Sequence, residues 1–179
     1  MDCNQYLSPG STVAIYGEES SGKTQMVLRL IATTGRPTLY LDFDHTMGTR
    51  DCEFAGYFNR DLLLHMRPTH IEEGTDAAIR FINEIPECII AIDPLSAACG
   101  MKYEIGSKQG GLRSQLRFLN LLQPHLIKSN GSMVIVDHSF SDDMAPVISL
   151  FANHLIITNG FIGNDIKFTI DAKLLVARL

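Results

Sequence analysis

The chain has 179 residues, 45% of them hydrophobic and 20% charged, the proportions of an ordinary globular domain and not of a disordered, collagenous or coiled-coil chain. Fifteen basic residues against 20 acidic ones leave a net charge of −5, so any nucleic-acid contact has to come from a local basic patch. A chain of this length can bury a core without disulfide or metal, and residues 1–179 are read as a single domain.

In chain order, the N-terminus carries no basic segment followed by an apolar core, as a secretory leader would. Val13–Tyr16 then opens a continuous apolar run, and a helix is predicted over about 22–33, closed by Gly35 and Pro37. A second apolar run, Thr38–Leu41, is followed by a third, Leu62–Leu64, and by a helix over about 75–84 that ends at Pro86. Cys88–Ile92 and Met133–Val136 flank a helix over about 111–128, which Pro124 is expected to kink and Asn130-Gly131 to end. Runs that are apolar throughout suit strands buried on both faces of a parallel sheet. After residue 150 the pattern changes: His154–Thr158, Lys167–Ile170 and Leu174–Val176 read as antiparallel strands added to the sheet edge. The predicted fold is therefore α/β, a mostly parallel central sheet flanked by helices, with antiparallel strands at the C-terminal end.

The four cysteines, Cys3, Cys52, Cys88 and Cys99, form no CxxC pair and no finger spacing. No apolar run approaches the roughly 18 residues of a membrane span. These features predict reduced thiols, no membrane and a cytoplasmic location, or a nuclear one in a eukaryotic cell.

Gly17-Glu18-Glu19-Ser20-Ser21-Gly22-Lys23-Thr24 fits GxxxxGK[ST] and lies between an apolar run and an amphipathic helix, the context that this phosphate-binding motif requires. Glycines let the backbone close around phosphate oxygens, successive N–H groups form an anion nest, and the helix N-terminus adds its positive dipole. Lys23 is expected to reach the β- and γ-phosphates of ATP and the Thr24 hydroxyl to ligate Mg²⁺. Asp93, directly after Cys88–Ile92, is the expected second metal-side group. Asp42 and Asp44, at the end of the second run, are candidates to orient the attacking water.

These motifs together resemble the ATPase core of RecA-type recombinases. Ile15–Thr24 is similar to the family's phosphate loop, Glu-Ser-Ser included, and Leu41-Asp42-Phe43-Asp44-His45 to its Asp-x-Glu-His segment. Asp93-Pro94-Leu95-Ser96-Ala97-Ala98 resembles its Walker B strand and tail. Val134–His138 stands where the family ends a strand with a polar residue that senses γ-phosphate, which assigns that role to His138. The resemblance covers residues 11 to about 175. It implies a single RecA-like core, ATP and Mg²⁺ as cofactors, and Lys23, Asp44 and His138 as the catalytic set. His45 is expected to pack beside the site.

Four departures accompany the resemblance. Asp44 replaces the family's glutamate, which draws the carboxylate back and predicts slow hydrolysis. Thr46–Asp51 lacks the family's adenine-facing residues. No N-terminal polymerisation element is expected before the first strand, and no C-terminal domain after the last. The family's first DNA loop corresponds to Gly100–Gly111, where residues 100–117 carry four basic groups against one acidic. Lys102, Tyr103, Lys108 and Arg113 are the candidate contacts to single-stranded DNA. The second loop, Ser139–Pro146, is short and acidic, and Lys173 is a candidate for contact with a neighbour's nucleotide. The expected function is Mg²⁺-dependent ATP hydrolysis in DNA recombination or repair, by a homo-oligomer or with a partner recombinase. The alternatives are a weakly hydrolysing regulatory paralogue that binds a recombinase, and a hexameric helicase-like motor core.

Overall fold

The computed structural model describes residues 6–47, 60–99, 108–138, 150–162 and 165–171. Its elements are β1 (Thr12–Tyr16), α1 (Lys23–Thr34), β2 (Thr38–Asp42), β3 (Leu63–Met66), α2 (Ile71–Glu84), β4 (Ile89–Asp93), the short α3 (Leu95–Ala98), α4 (Lys108–Ser129), β5 (Ser132–Asp137), β6 (His154–Ile162) and β7 (Asp165–Asp171). The strands form one sheet in the order β3-β2-β4-β5-β1-β6-β7. β1 to β6 pair with one another in parallel. β7 is antiparallel to β6.

β1, β2, β4 and β5 are buried at every residue, as their unbroken apolar sequences require. Alternate side chains feed two cores. Val13, Ile15, Tyr40, Ile89, Ala91, Val134 and Val136 face α1 through Met26, Val27 and Leu30. Ala14, Leu39, Leu41, Ile90, Ile92 and Ile135 face α2 and α4 through Ala78, Ile82, Phe118 and Leu122. Helices on both faces remove the parallel sheet from water, and the amphipathic spacing of α2 and α4 supplies their inward sides.

The end signals read from the sequence place the helix stops well. Gly35 closes α1 at φ 62, and Asn130, after α4, takes φ 54, the left-handed conformation that Gly and Asn tolerate. α4 continues through Pro124. α2 begins four residues before its predicted start, because Glu72 and Glu73 favour the first turn. The C-terminal strands need a correction. β6 joins β1 in parallel and extends to Ile162, four residues past the Thr158 end expected from the sequence. The antiparallel pairing falls between β6 and β7 alone among the described residues, and Leu174–Val176 lies outside them.

Arg36, between α1 and β2, ties the amino end of the sheet together. Its guanidinium donates to the carbonyls of Leu7 (2.8 Å), Glu87 (2.5 Å), Cys88 (3.2 Å) and Asn130 (3.3 Å) and to Ser132 Oγ (2.9 Å). The cysteines Cys88 and Cys99 are unpaired, and burial pushes their thiols up to about 11 and about 12. No described helix is long and apolar enough to cross a membrane.

Candidate functional site

Strand order reverses around β1: β5 lies on one side and β6 on the other. In an open α/β sheet such a switch point opens a crevice at the carboxyl ends of the strands, and the loop 17–22 occupies it. Gly17 has no room for a side chain, since a Cβ would meet Thr158 Oγ1 at 2.2 Å, Ser21 Oγ at 2.3 Å and the Thr158 carbonyl at 2.6 Å. Thr158 donates to the Tyr16 carbonyl (3.1 Å), so the 2.6 Å contact between Ser21 and Thr158 is a hydrogen bond donated by Ser21. β6 thereby holds the loop from its flank. Ser20 and Gly22 take positive φ, 61 and 93, and Gly22 caps α1 without a side-chain bond, with no acidic residue in the first helical turn. No carboxylate within the first turn of α1 opposes the helix dipole at this end. Glu18, Glu19 and Ser20 are exposed.

Lys23 is buried and folds back on the loop, donating from Nζ to the carbonyls of Gly17 (2.7 Å) and Glu18 (2.6 Å). Burial lowers its pKa, opposed by the carboxylates of Asp93, Asp137 and Glu19. α1 packs over β1, β5 and β4, which carries Thr24 to the end of β4, where its hydroxyl donates to Asp93 Oδ2 at 3.0 Å. Tyr40, from the middle of β2, donates its phenol to the same oxygen. Burial raises the Asp93 pKa, and the bonds from Tyr40 and Thr24 pull it back down. Burial, then the charge of Asp93, holds the Tyr40 phenol well above its usual range, so it remains a donor.

Thr24 and Asp93 supply a hydroxyl and a carboxylate. Among the described residues no group of three or more His, Cys, Asp or Glu could hold a metal by itself. Two hard oxygen donors fit magnesium, which takes most of its positions from phosphate oxygens and water.

Asp42 and Asp44, both at the end of the second apolar run, separate in the structure. Asp42 accepts from the Thr46 and Met47 amides (3.1 Å each) and lies 3.2 Å from His65 Nε2, which makes it the organiser of the turn after β2. Asp44 meets His138, Oδ2 to Nε2 at 3.2 Å. β4 lies between β2 and β5, so this pair joins across the carboxyl end of the strand that bears Asp93. The Asp44 side chain is 4% exposed and that of His138 34%, which leaves the imidazole as the more accessible partner. His45 corrects its expectation: it is exposed, with Nε2 3.3 Å from the Pro68 carbonyl.

Sequence reasoning missed two groups around this pair and Asp93. Tyr40 reads as one more apolar strand residue, although a tyrosine in a doubly buried strand needs a partner for its hydroxyl. Asp137 ends β5 with Oδ1 accepting from Ser96 Oγ (2.6 Å) and from the His138 amide (2.8 Å). Asp137 Oδ2 and His138 Nδ1 are buried without a partner among the described residues, and burial raises the Asp137 pKa. Lys102, Tyr103, Ser139–Pro146 and Lys173 lie outside the described residues. Lys108 begins α4, and Arg113, on the same helix, is exposed. A groove of about 620 Å³ between the C-terminal ends of α2 and α4, lined by Ile82, Asn83, Pro124 and His125, lies at the other end of the sheet and contains none of these groups.

No family model matches the chain. It is similar to the protein RecA of Staphylococcus aureus, strains JH9, Newman and N315 among them, at 29% identity over 138 residues. The match covers 72% of this chain and 39% of those relatives, so the chain spans well under half of their length. With the sheet, the phosphate-loop sequence and the order of the motifs, the similarity points to a RecA-like relationship.

Proposed function

We propose that the protein is a RecA-like, Mg²⁺-dependent ATPase of DNA recombination or repair. The observation that carries this reading is the junction of the GxxxxGK[ST] loop with the β4 carboxylate, Thr24 Oγ1 to Asp93 Oδ2 at 3.0 Å. The loop amides and the α1 N-terminus bind the phosphates. Lys23 leaves the Gly17 and Glu18 carbonyls to reach the β- and γ-phosphates, which replace two neutral acceptors by anionic ones. Thr24 would ligate magnesium and Asp93 would hold it through water, and the ion would neutralise charge on the phosphate oxygens.

Hydrolysis needs a water aligned with the γ-phosphorus. Asp44 accepts its proton as the new P–O bond forms and the bond to the β-phosphate oxygen breaks, releasing ADP and phosphate. His138 orients Asp44 through the 3.2 Å contact and, at the end of β5, senses the γ-phosphate. Asp44 is one methylene shorter than glutamate and enclosed by its partner, so turnover is slow. The same enclosure favours a second reading, a nucleotide-dependent regulatory partner of a recombinase. Single-stranded DNA is the proposed ligand of Lys102, Tyr103, Lys108 and Arg113, in a homo-oligomer or with a partner recombinase.

The test is the steady-state ATPase rate of an Asp44 series. Asp44→Asn lowers turnover about 100-fold, the scale of a lost general base, and Asp44→Glu raises it several-fold. Equal rates in all three proteins would contradict the assignment. Sedimentation with ATP and single-stranded DNA separates the readings: a filament supports the recombinase, and a monomer or small complex the regulator.

A further inference from the structure

We infer that Tyr40 is a positioning residue for the metal-side pair, fixing Asp93 and through it the Thr24 hydroxyl; the inference rests on the magnesium–nucleotide reading above. A phenylalanine would fill the apolar space equally well, since Tyr40 is wholly buried in the core between the sheet and α1. The hydroxyl therefore calls for a separate reason, and its partner is a carboxylate oxygen, Asp93 Oδ2, that also receives Thr24.

The sheet register explains how the phenol gets there. Tyr40 pairs with Ala91 and Asp42 with Asp93, so Tyr40 and Asp93 are diagonal neighbours on one face. Ala91, directly opposite, is small enough to leave the ring room to lean towards the strand end. On the other side His65 meets the ring edge-on, centroids 6.1 Å apart at 73°, and His65 is itself held by Asp42 at 3.2 Å. The phenol is thus confined between β3 and β4.

Two O–H donors on one oxygen fix the plane of the carboxylate. Because the Thr24 proton is committed to Asp93, the direction of the Thr24 lone pairs is set by the same anchor. Removing the Tyr40 hydroxyl leaves Asp93 with one donor of this pair and loosens both groups that are to face magnesium. Partners of this kind typically govern metal affinity by 10- to 100-fold.

The experiment titrates Mg²⁺ into wild type and Tyr40→Phe in the presence of a fluorescent ATP analogue, with thermal melts to show that both fold. The half-saturating Mg²⁺ concentration rises about 10-fold in Tyr40→Phe, while the affinity for the analogue in excess chelator is unchanged. In an Asp93→Asn background, Tyr40→Phe adds no further loss, since its effect passes through Asp93. Equal Mg²⁺ dependence in wild type and Tyr40→Phe overturns the inference and leaves the ATPase reading standing. So does a loss of binding that is the same with and without Mg²⁺, or an undiminished effect in the Asp93→Asn background. Wild-type protein that binds the analogue no better with Mg²⁺ overturns the reading itself, and the inference with it.

Discussion

Asp137 shows how a single residue at this site can oppose folding and still be held in place. It is 4% exposed, accepts from Ser96 and the His138 amide through Oδ1, and has a buried Oδ2 with no partner among the described residues. Burial raises its pKa above the usual carboxylate range. A raised pKa means that the folded state holds the proton more tightly than the unfolded chain, so this stabilisation is present below about pH 4 and fades as pH rises through the folded value. Asp137→Asn, which cannot ionise, therefore gains melting temperature relative to wild type as pH rises from about 4 to neutrality. A difference independent of pH would contradict the buried-charge account. Lys23, Thr24 and Asp93, which the structure gathers at one end of the sheet, stand out in the sequence because a GxxxxGK[ST] loop and a carboxylate ending an apolar strand are local patterns. Tyr40 and Asp137 were hidden because their roles depend on which strands become neighbours, and no local spacing records that.

At the scale of elements, the β1–α1 loop depends on β6, whose Thr158 lies 142 residues after Tyr16. Thr158 anchors both the Tyr16 carbonyl and Ser21 and occupies the space that a side chain on residue 17 would need. Gly17→Ala forces the loop away from β6 at a cost of about 3 kcal/mol, read as a lower midpoint in urea with an unchanged slope. A variant as stable as wild type would contradict the close approach. The core strands were legible because burial on both faces leaves uninterrupted apolar runs, and the helix ends because Gly35 and Asn130 mark them. β6 was legible as a strand but not in its direction. Its sequence suits either edge of the sheet, and the parallel pairing with β1 is a long-range choice that local pattern does not encode.

For the whole molecule, the strand order brings four sequence segments to one end of the sheet: the loop after β1, the turn after β2, the end of β4 and the end of β5. There the groups meet in pairs, Lys23 with the loop carbonyls, Thr24 with Asp93, and Asp44 with His138. The central claim is that this end binds Mg²⁺–ATP through its phosphates. Calorimetric titration of Mg²⁺–ATP into wild type and Lys23→Ala tests it most directly. The account predicts saturable one-to-one binding to wild type and a loss of at least about 10-fold in affinity in Lys23→Ala, the scale of a removed charge-assisted bond. Equal affinity in the two proteins, or no heat of binding to wild type, would contradict it.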